Sequence, residues 1–284
     1  MESTIDQRRE ALQGIEYETE TAQQAEESTF RNLRIFNGVM SVIHFIQAVL
    51  MVVLSNDFTV SPTTQFLEFD PEAPVGERIM QTIDPAFDVQ LGPAIALFLF
   101  ISATAHFLIA GPFFRQYVDQ LRQEVNFYRW YEYSVSASIM IVAIAMLSGV
   151  TDIPFIITLF ALNAAMIFFG HDMESMNRFT PDTHWTPFIF GCIVGIVPWI
   201  AIGMYFFGSL NNAEATIPDF VYAIFASIFV FFNIFALNQF LQYKQIGPWK
   251  RYINGEYVYI ILSLVAKSAL AWQVFSGTLQ GTGA

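Results

Sequence analysis

Apolar runs of about twenty residues dominate the chain, and each is closed by a short polar or turn-forming stretch. Seven stand out, at roughly 33–55, 90–112, 126–148, 152–171, 185–208, 217–242 and 256–279. At about 1.5 Å per residue, such a run crosses the hydrocarbon of a bilayer, so each is predicted to be a membrane-spanning helix. The breaks read SNDFTVSP, GPFFRQ, SGVTDIP, HDMESMNRFTPDTH, GSLNNAEATIPD and KQIGPWKRYINGE. No repeat of solenoid length recurs, which predicts a single bundle. The expected fold class is an all-α membrane protein with seven transmembrane helices.

Two segments stand apart from this pattern. The first break, 56–89, is too long for a plain turn, is acidic and contains proline, and is expected to hold structure of its own. Residues 1–30 carry Glu and Arg at i, i+4 spacing with little apolar face, and read as an acidic, solvated tail before a membrane domain at 31–284. The opening MESTIDQRREALQGIEYETE has no apolar core, so no cleavable signal peptide is expected.

Composition supports the membrane reading. Hydrophobic residues make up 54% of the 284 and charged residues 13%, with a mean hydropathy of +0.45. A soluble domain carries about 25% charge, so most of this chain lies outside water. The net charge of −12 disfavours nucleic acid as a partner. The single cysteine, Cys192, excludes an internal disulfide and argues against a thiolate metal site. The four histidines show no metal-ligand spacing. Neither a metal centre nor an enzyme active site is expected.

The basic residues set a direction. Arg8, Arg9, Arg31, Arg34, Arg115, Arg122, Arg129, Arg178, Lys244, Lys250 and Arg251 fall on one side of the spans, eleven of the thirteen in the chain. Arg78 is alone on the other side, and the last is Lys267, inside the seventh span. The positive-inside rule predicts a cytoplasmic N-terminus and an external C-terminus.

Lys267 is costly there, by about 2.5–3.5 kcal/mol on insertion scales. It lies about eleven residues from the inner end of its span, too central to snorkel, so it is either neutral or faces a counter-charge. Three other ionisable groups lie at or below the midplane on the cytoplasmic side: His44, His106 and Glu132, the last about 10 Å deep. Glu132 has two readings: a partner for Lys267, or an acid paired with Arg129 three residues back. Taken alone, the two histidines read more readily as satisfied core residues than as functional ones. A desolvated lysine is also the usual precursor of a Schiff base with an aldehyde. Glu132 could then balance the imine, and Ser263, one turn before Lys267, could share its proton. Trp199, Trp272 and the run FVFFNIF at 229–235 could wall a long apolar ligand, although aromatic stripes also serve plain packing.

Seven helices with a lysine in the last resemble the rhodopsins that bind retinal. The inverted direction, together with RWYEYSVSASIM, GCIVGIVPWI, FFNIFALNQFLQYK and SLVAKSALAWQ in the third, fifth, sixth and seventh spans, resembles the heliorhodopsins from about Arg31 to Leu279. The resemblance implies a rhodopsin-like bundle holding all-trans retinal as a protonated Schiff base on Lys267, with Glu132 as sole counterion. It implies Ser263 and Ser102 beside the Schiff base, and His44 and His106 in a polar cavity on the cytoplasmic side. Around the polyene it implies Tyr133, Asn163, Met166, Trp199, Phe232, Gln239 and Trp272; Gln239 stands where other microbial rhodopsins usually have an aromatic. It also implies a homodimer in the cell membrane.

Pumping requires relay groups on both sides of the Schiff base. Proton-pumping rhodopsins carry an aspartate one turn before the lysine, where this chain has Ser263. Beyond Glu132 the third span reads YSVSASIMIVAIAMLSG, with no acid. The reading is a photoreceptor in which retinal isomerises to 13-cis and a proton moves locally, to Glu132 or to water shared by His44 and His106. A cytoplasmic signalling partner would read the change. A light-driven or light-gated transporter with the same chromophore remains the alternative. A retinal-free receptor or enzyme, with Lys267 as a buried base, is a third.

Overall fold

The computed structural model describes residues 2–212 and 219–280, with side chains described over 22–79, 82–211 and 222–277. Seven of its helices are long and apolar enough to cross a membrane. They are α1 (Glu2–Val53), α2 (Leu91–Ala110), α4 (Phe127–Leu147), α5 (Ile153–Asn177), α6 (Thr186–Asn212), α7 (Asp219–Tyr243) and α8 (Tyr252–Gln280). A short amphipathic helix, α3 (Phe114–Arg122), links α2 to α4 and buries Tyr117, Val118 and Leu121. A 3-10 turn, Gly247–Lys250, leads into α8. The break GSLNNAEATIPD falls partly on 213–218, outside the described residues.

Local chemistry sets the helix ends. Asn126 caps α4 by accepting from the Arg129 N–H at 3.2 Å, and Asp152 caps α5 by accepting from Phe155 N–H at 3.2 Å. Gly149, at φ +99°, turns the chain out of α4, a conformation glycine adopts without a Cβ clash. The N-terminal segment, expected as an acidic, solvated tail, is helical, since α1 continues back to Glu2. Extending an existing helix costs no new nucleus, and the membrane part of α1 supplies that nucleus. An Arg122–Glu26 ion pair at 2.8 Å ties this extension to α3.

The long first break has structure, as expected. Strands β1 (Thr59–Val60), β2 (Thr63–Phe69), β3 (Ile79–Pro85) and β4 (Val89–Gln90) form two antiparallel pairs, β1 with β4 and β2 with β3. This ribbon is anchored to the α4–α5 turn by Thr63 N–H donating to Thr151 O at 2.8 Å. The bundle therefore has a ribbon end and, opposite, an α3 end carrying α3 and the 3-10 turn.

Helices α1 and α2, α2 and α4, α4 and α5, α5 and α6, and α7 and α8 pack directly, with α8 also against α1. Helix α6 meets α7 through aromatic rings, Trp199 lying 5.2 Å from Phe229 and 5.4 Å from Phe232 between centroids. The main core lies toward the ribbon end and includes Ile95, Phe98, Leu99, Ile141, Ile144, Leu159, Leu270 and Val274.

Candidate functional site

Lys267 sits in mid-α8 with 3% of its side chain exposed. Its Nζ donates to Glu132 Oε1 at 2.8 Å and to Ser263 Oγ at 2.9 Å. Ser263 reaches it because residues four apart share a helix face. Ser102, on α2, donates to the same Glu132 oxygen at 2.6 Å. The Tyr133 ring lies under the ammonium, with its centroid 5.0 Å from Nζ, and the Tyr133 hydroxyl donates to Tyr259 O at 3.0 Å. A buried charge is tolerable when a counter-charge and hydrogen bonds replace its water, and Lys267 has both.

His44 and His106 lie side by side, though of the two only His106 lines the small cavity described next. Their rings stack at 5.6 Å between centroids and 9° between planes. His106 Nδ1 lies 2.7 Å from Asn37 Oδ1. His106 and Glu132 border a cavity of about 30 Å³, also lined by Arg129 and Glu256, with room for about two waters. His44 is fully buried, and neither of its ring nitrogens has a hydrogen-bond partner among the described residues.

A larger, largely apolar cavity of about 170 Å³ is bordered by Tyr133 and by Ala266, the neighbour of Lys267. Met166, Trp199, Phe232 and Gln239 line it, as the family resemblance implies. Gln239 Nε2 donates to Gly170 O at 3.2 Å. Two glycines set the wall: a Cβ on Gly170 would fall 2.5 Å from Trp130 Cζ3, and one on Gly195 would fall 2.9 Å from Met166 Cγ. An apolar cavity beside a buried primary amine with one carboxylate partner fits an apolar aldehyde joined to that amine.

Two expected lining residues lie elsewhere. Trp272 is 38% exposed and packs edge-on against Phe275 at 5.7 Å, outside the cavity. Five residues past Lys267 is about 140° around the helix, which turns Trp272 away from the bundle interior. Asn163 is buried but does not line the cavity; its Nδ2 donates to Ser138 Oγ at 3.1 Å.

The heliorhodopsin sequence profile matches residues 33–279. The chain belongs to the heliorhodopsin family. It is thus a retinal-binding rhodopsin of seven apolar helices. No curated protein sequence matches it. Three solved structures share its fold. The light-driven proton pump LR (Mac) from Leptosphaeria maculans has a TM-score of 0.59 at 13% identity, over 87% of this chain and 95% of its own. A thermophilic rhodopsin has 0.55 at 14% identity, over 92% and 97%. The transmembrane domain and linker region of Salpingoeca rosetta rhodopsin phosphodiesterase has 0.52 at 13% identity, over 92% and 87%. At these identities the likeness is one of fold.

This heliorhodopsin also buries a charged cluster that sequence reasoning passed over. Arg129, in the first turn of α4, bridges Glu174 of α5 and Glu256 of α8, and the three side chains are 3%, 1% and 1% exposed. Arg129 therefore does not pair with Glu132. Glu174 Oε2 accepts from Trp130 Nε1–H at 2.6 Å, and its Oε1 accepts from the Tyr252 hydroxyl at 3.0 Å. Glu256 Oε1 accepts from Asn126 Nδ2 at 2.7 Å and from the Tyr117 hydroxyl at 2.9 Å. Tyr117 belongs to α3, outside the spans, and burial pushes its hydroxyl well above the usual tyrosine range, so it remains a donor.

Glu174 fell in a predicted break and Glu256 at the very edge of the seventh span, because hydropathy drops at HDMESMN and at KRYINGE. In the structure α5 runs on to Asn177 and α8 starts at Tyr252. One signal was present: Gly170, Met173 and Glu174 continue the buried face of α5 at i, i+3, i+4 spacing.

Proposed function

We propose that this chain is a light-sensing photoreceptor holding all-trans retinal as a protonated Schiff base on Lys267, with Glu132 as counterion and no net ion pumping. The observation that carries the reading is the buried Lys267–Glu132 pair, 2.8 Å apart next to Tyr133 and Ala266, which border an apolar cavity. The other buried ionisable groups among the described residues lie at its depth or toward the α3 end. The bound chromophore supplies light absorption and photoisomerisation. Glu132 and Ser263 hold the N–H at Lys267 Nζ. A proton leaving Nζ finds Glu132 first, then the small cavity bordered by His106, Arg129 and Glu256. Beyond Lys267 toward the ribbon end, Leu270, Ala271 and Val274 of α8 are buried in one apolar cluster with Ile141 and Ile144 of α4. No buried acid or base lies on that side among the described residues. A proton has no onward relay there, which favours local transfer and return.

The basic residues gather at the α3 end, and this supports a cytoplasmic N-terminus and an external C-terminus in the cell membrane. A cytoplasmic partner would then read the α3 end. The ribbon exposes Phe66, Leu67, Phe69 and Ile83, an apolar surface that the homodimer implied by the family can use.

The test is a visible spectrum of the chain expressed with all-trans retinal. A visible band is expected that is absent in Lys267→Ala. In Glu132→Gln it is expected to move to the red, because a lost counterion lets positive charge spread along the polyene. No band, or one that persists in Lys267→Ala, overturns the reading, and an unmoved band in Glu132→Gln removes the counterion assignment. A protonophore-sensitive light-induced pH change in proteoliposomes would replace sensor with transporter.

A further inference from the structure

Beneath the Arg129 cluster, at the α3 end, four segments converge on a second cavity of about 170 Å³. They are the exit of α3 at Glu124, the α5–α6 turn from Asn177 to Thr183, the end of α7 at Gln242–Gln245 and the 3-10 turn up to Tyr252. None of these residues lines the apolar cavity near Lys267.

Two features of this cavity point to a ligand. Its two cations, Arg178 and Lys250, form no ion pair among the described residues, whereas Glu124 is the one acid in the lining. Gln242 is 6% exposed, and its Oε1 is buried without a hydrogen-bond partner. Gln242 is also held in place: its Nε2 donates to Tyr252 O at 3.1 Å, and its Cδ lies where a Cβ on Gly255 would come within 2.8 Å. A buried acceptor that lacks a donor is expensive, so something with an O–H or N–H belongs opposite it. Glu124 at φ 57° and Gln245 at φ 52°, both lining the cavity, close the C-terminal turns of α3 and α7, with Val125 N–H donating to Gln120 O at 3.1 Å and Ile246 N–H to Leu241 O at 3.2 Å.

We propose that this cavity binds a small oxyanion that also carries an O–H donor, such as dihydrogen phosphate or a hydroxycarboxylate. Arg178 and Lys250 meet the anionic oxygens, and Gln242 Oε1 accepts from the donor. Trp249 and Tyr243 also border the cavity. Tyr252 makes the site a neighbour of the photoreceptor core, because it lines the cavity and its hydroxyl donates to Glu174 Oε1 at 3.0 Å. Occupancy thereby bears on the Arg129 cluster, which borders the small cavity beside Glu132. This last link rests on the proposed photoreceptor function; the binding itself does not.

The test is isothermal titration calorimetry of the full chain in maltoside micelles, which contain no phosphate. Sodium phosphate near neutral pH and sodium lactate are titrated at constant ionic strength. Saturable one-site binding of at least one of them is expected. It should weaken at least tenfold in Arg178→Gln/Lys250→Gln, whose side chains are exposed and whose loss leaves the fold intact. It should also weaken at least tenfold in Gln242→Glu, which keeps the shape but sets a carboxylate against the anion. Sulfate, which has no donor, should bind at least tenfold more weakly than phosphate. No saturable binding by either probe, sulfate binding equal to phosphate, or affinity unchanged in both variants overturns the proposal. Nanodiscs of phosphatidylglycerol distinguish the sources: phosphate binding retained there identifies a soluble anion, and binding lost there identifies the lipid headgroup. A shift in photocycle lifetime on saturation checks the link through Tyr252 separately.

Discussion

Between Lys267 and the ribbon end, the interior is packed by Ile95, Phe98, Leu99, Ile141, Ile144, Leu270 and Val274. Between Lys267 and the α3 end, it holds Ser263, Glu132, His106, Asn37, Asn126, Arg129, Glu174 and Glu256. The first half is held by shape, the second by directed, charge-assisted hydrogen bonds. Helices in a bilayer gain little from apolar association itself, since lipid tails are as apolar as leucine. The polar half should therefore carry a larger share of what fixes the helices relative to one another. Its groups are also the ones through which the proposed mechanism would move a proton, and the apolar half offers none. One-sided chemistry and one-sided structural anchoring are the same feature seen twice.

The contrast can be broken most directly at Arg129. In Arg129→Gln two buried carboxylates lose their shared cation, and the loss should be about 3–5 kcal/mol, as for other buried charges left unpaired. Denaturation by SDS in mixed micelles measures it, and a loss below 1 kcal/mol would show that the polar half is not the anchor. The next effect is smaller. Tyr117→Phe deletes one hydrogen bond to a buried carboxylate, Glu256, and should cost about 1.5–3 kcal/mol in the same assay. In the ribbon half, Ser227 and Gln273 share a neutral hydrogen bond at 3.0–3.1 Å. Ser227→Ala should cost about 0.5–1.5 kcal/mol. Equal losses at Tyr117 and Ser227 would erase the distinction between the halves.

Much of the site was legible because insertion into lipid is so selective. A lysine in an apolar run demands a counter-charge at its own depth, and depth follows from counting residues along a helix. That reasoning reached Lys267, Glu132, Ser263 and the stacked His44 and His106. It failed for Glu174 and Glu256, because an acid near a span boundary looks the same whether it faces water or another helix. It failed at Trp272 for a different reason. Motif residues on one helix share a neighbourhood in sequence, but the helix phase about Lys267 sends this one to the outside.

The amino-acid sequence by itself determined the seven spans, a fold of one bundle, the buried lysine and one acid near its depth. These depend on transfer free energies and on helical rise, which are local. Only the tertiary structure decided that Arg129 belongs to Glu174 and Glu256 and not to Glu132. It alone placed Gly170 against Trp130 and Gly195 against Met166 to shape the apolar cavity. It alone brought Arg178, Gln242 and Lys250 around a second cavity. Those pairings depend on how three or four helices rotate and end relative to one another, and no single segment carries that information.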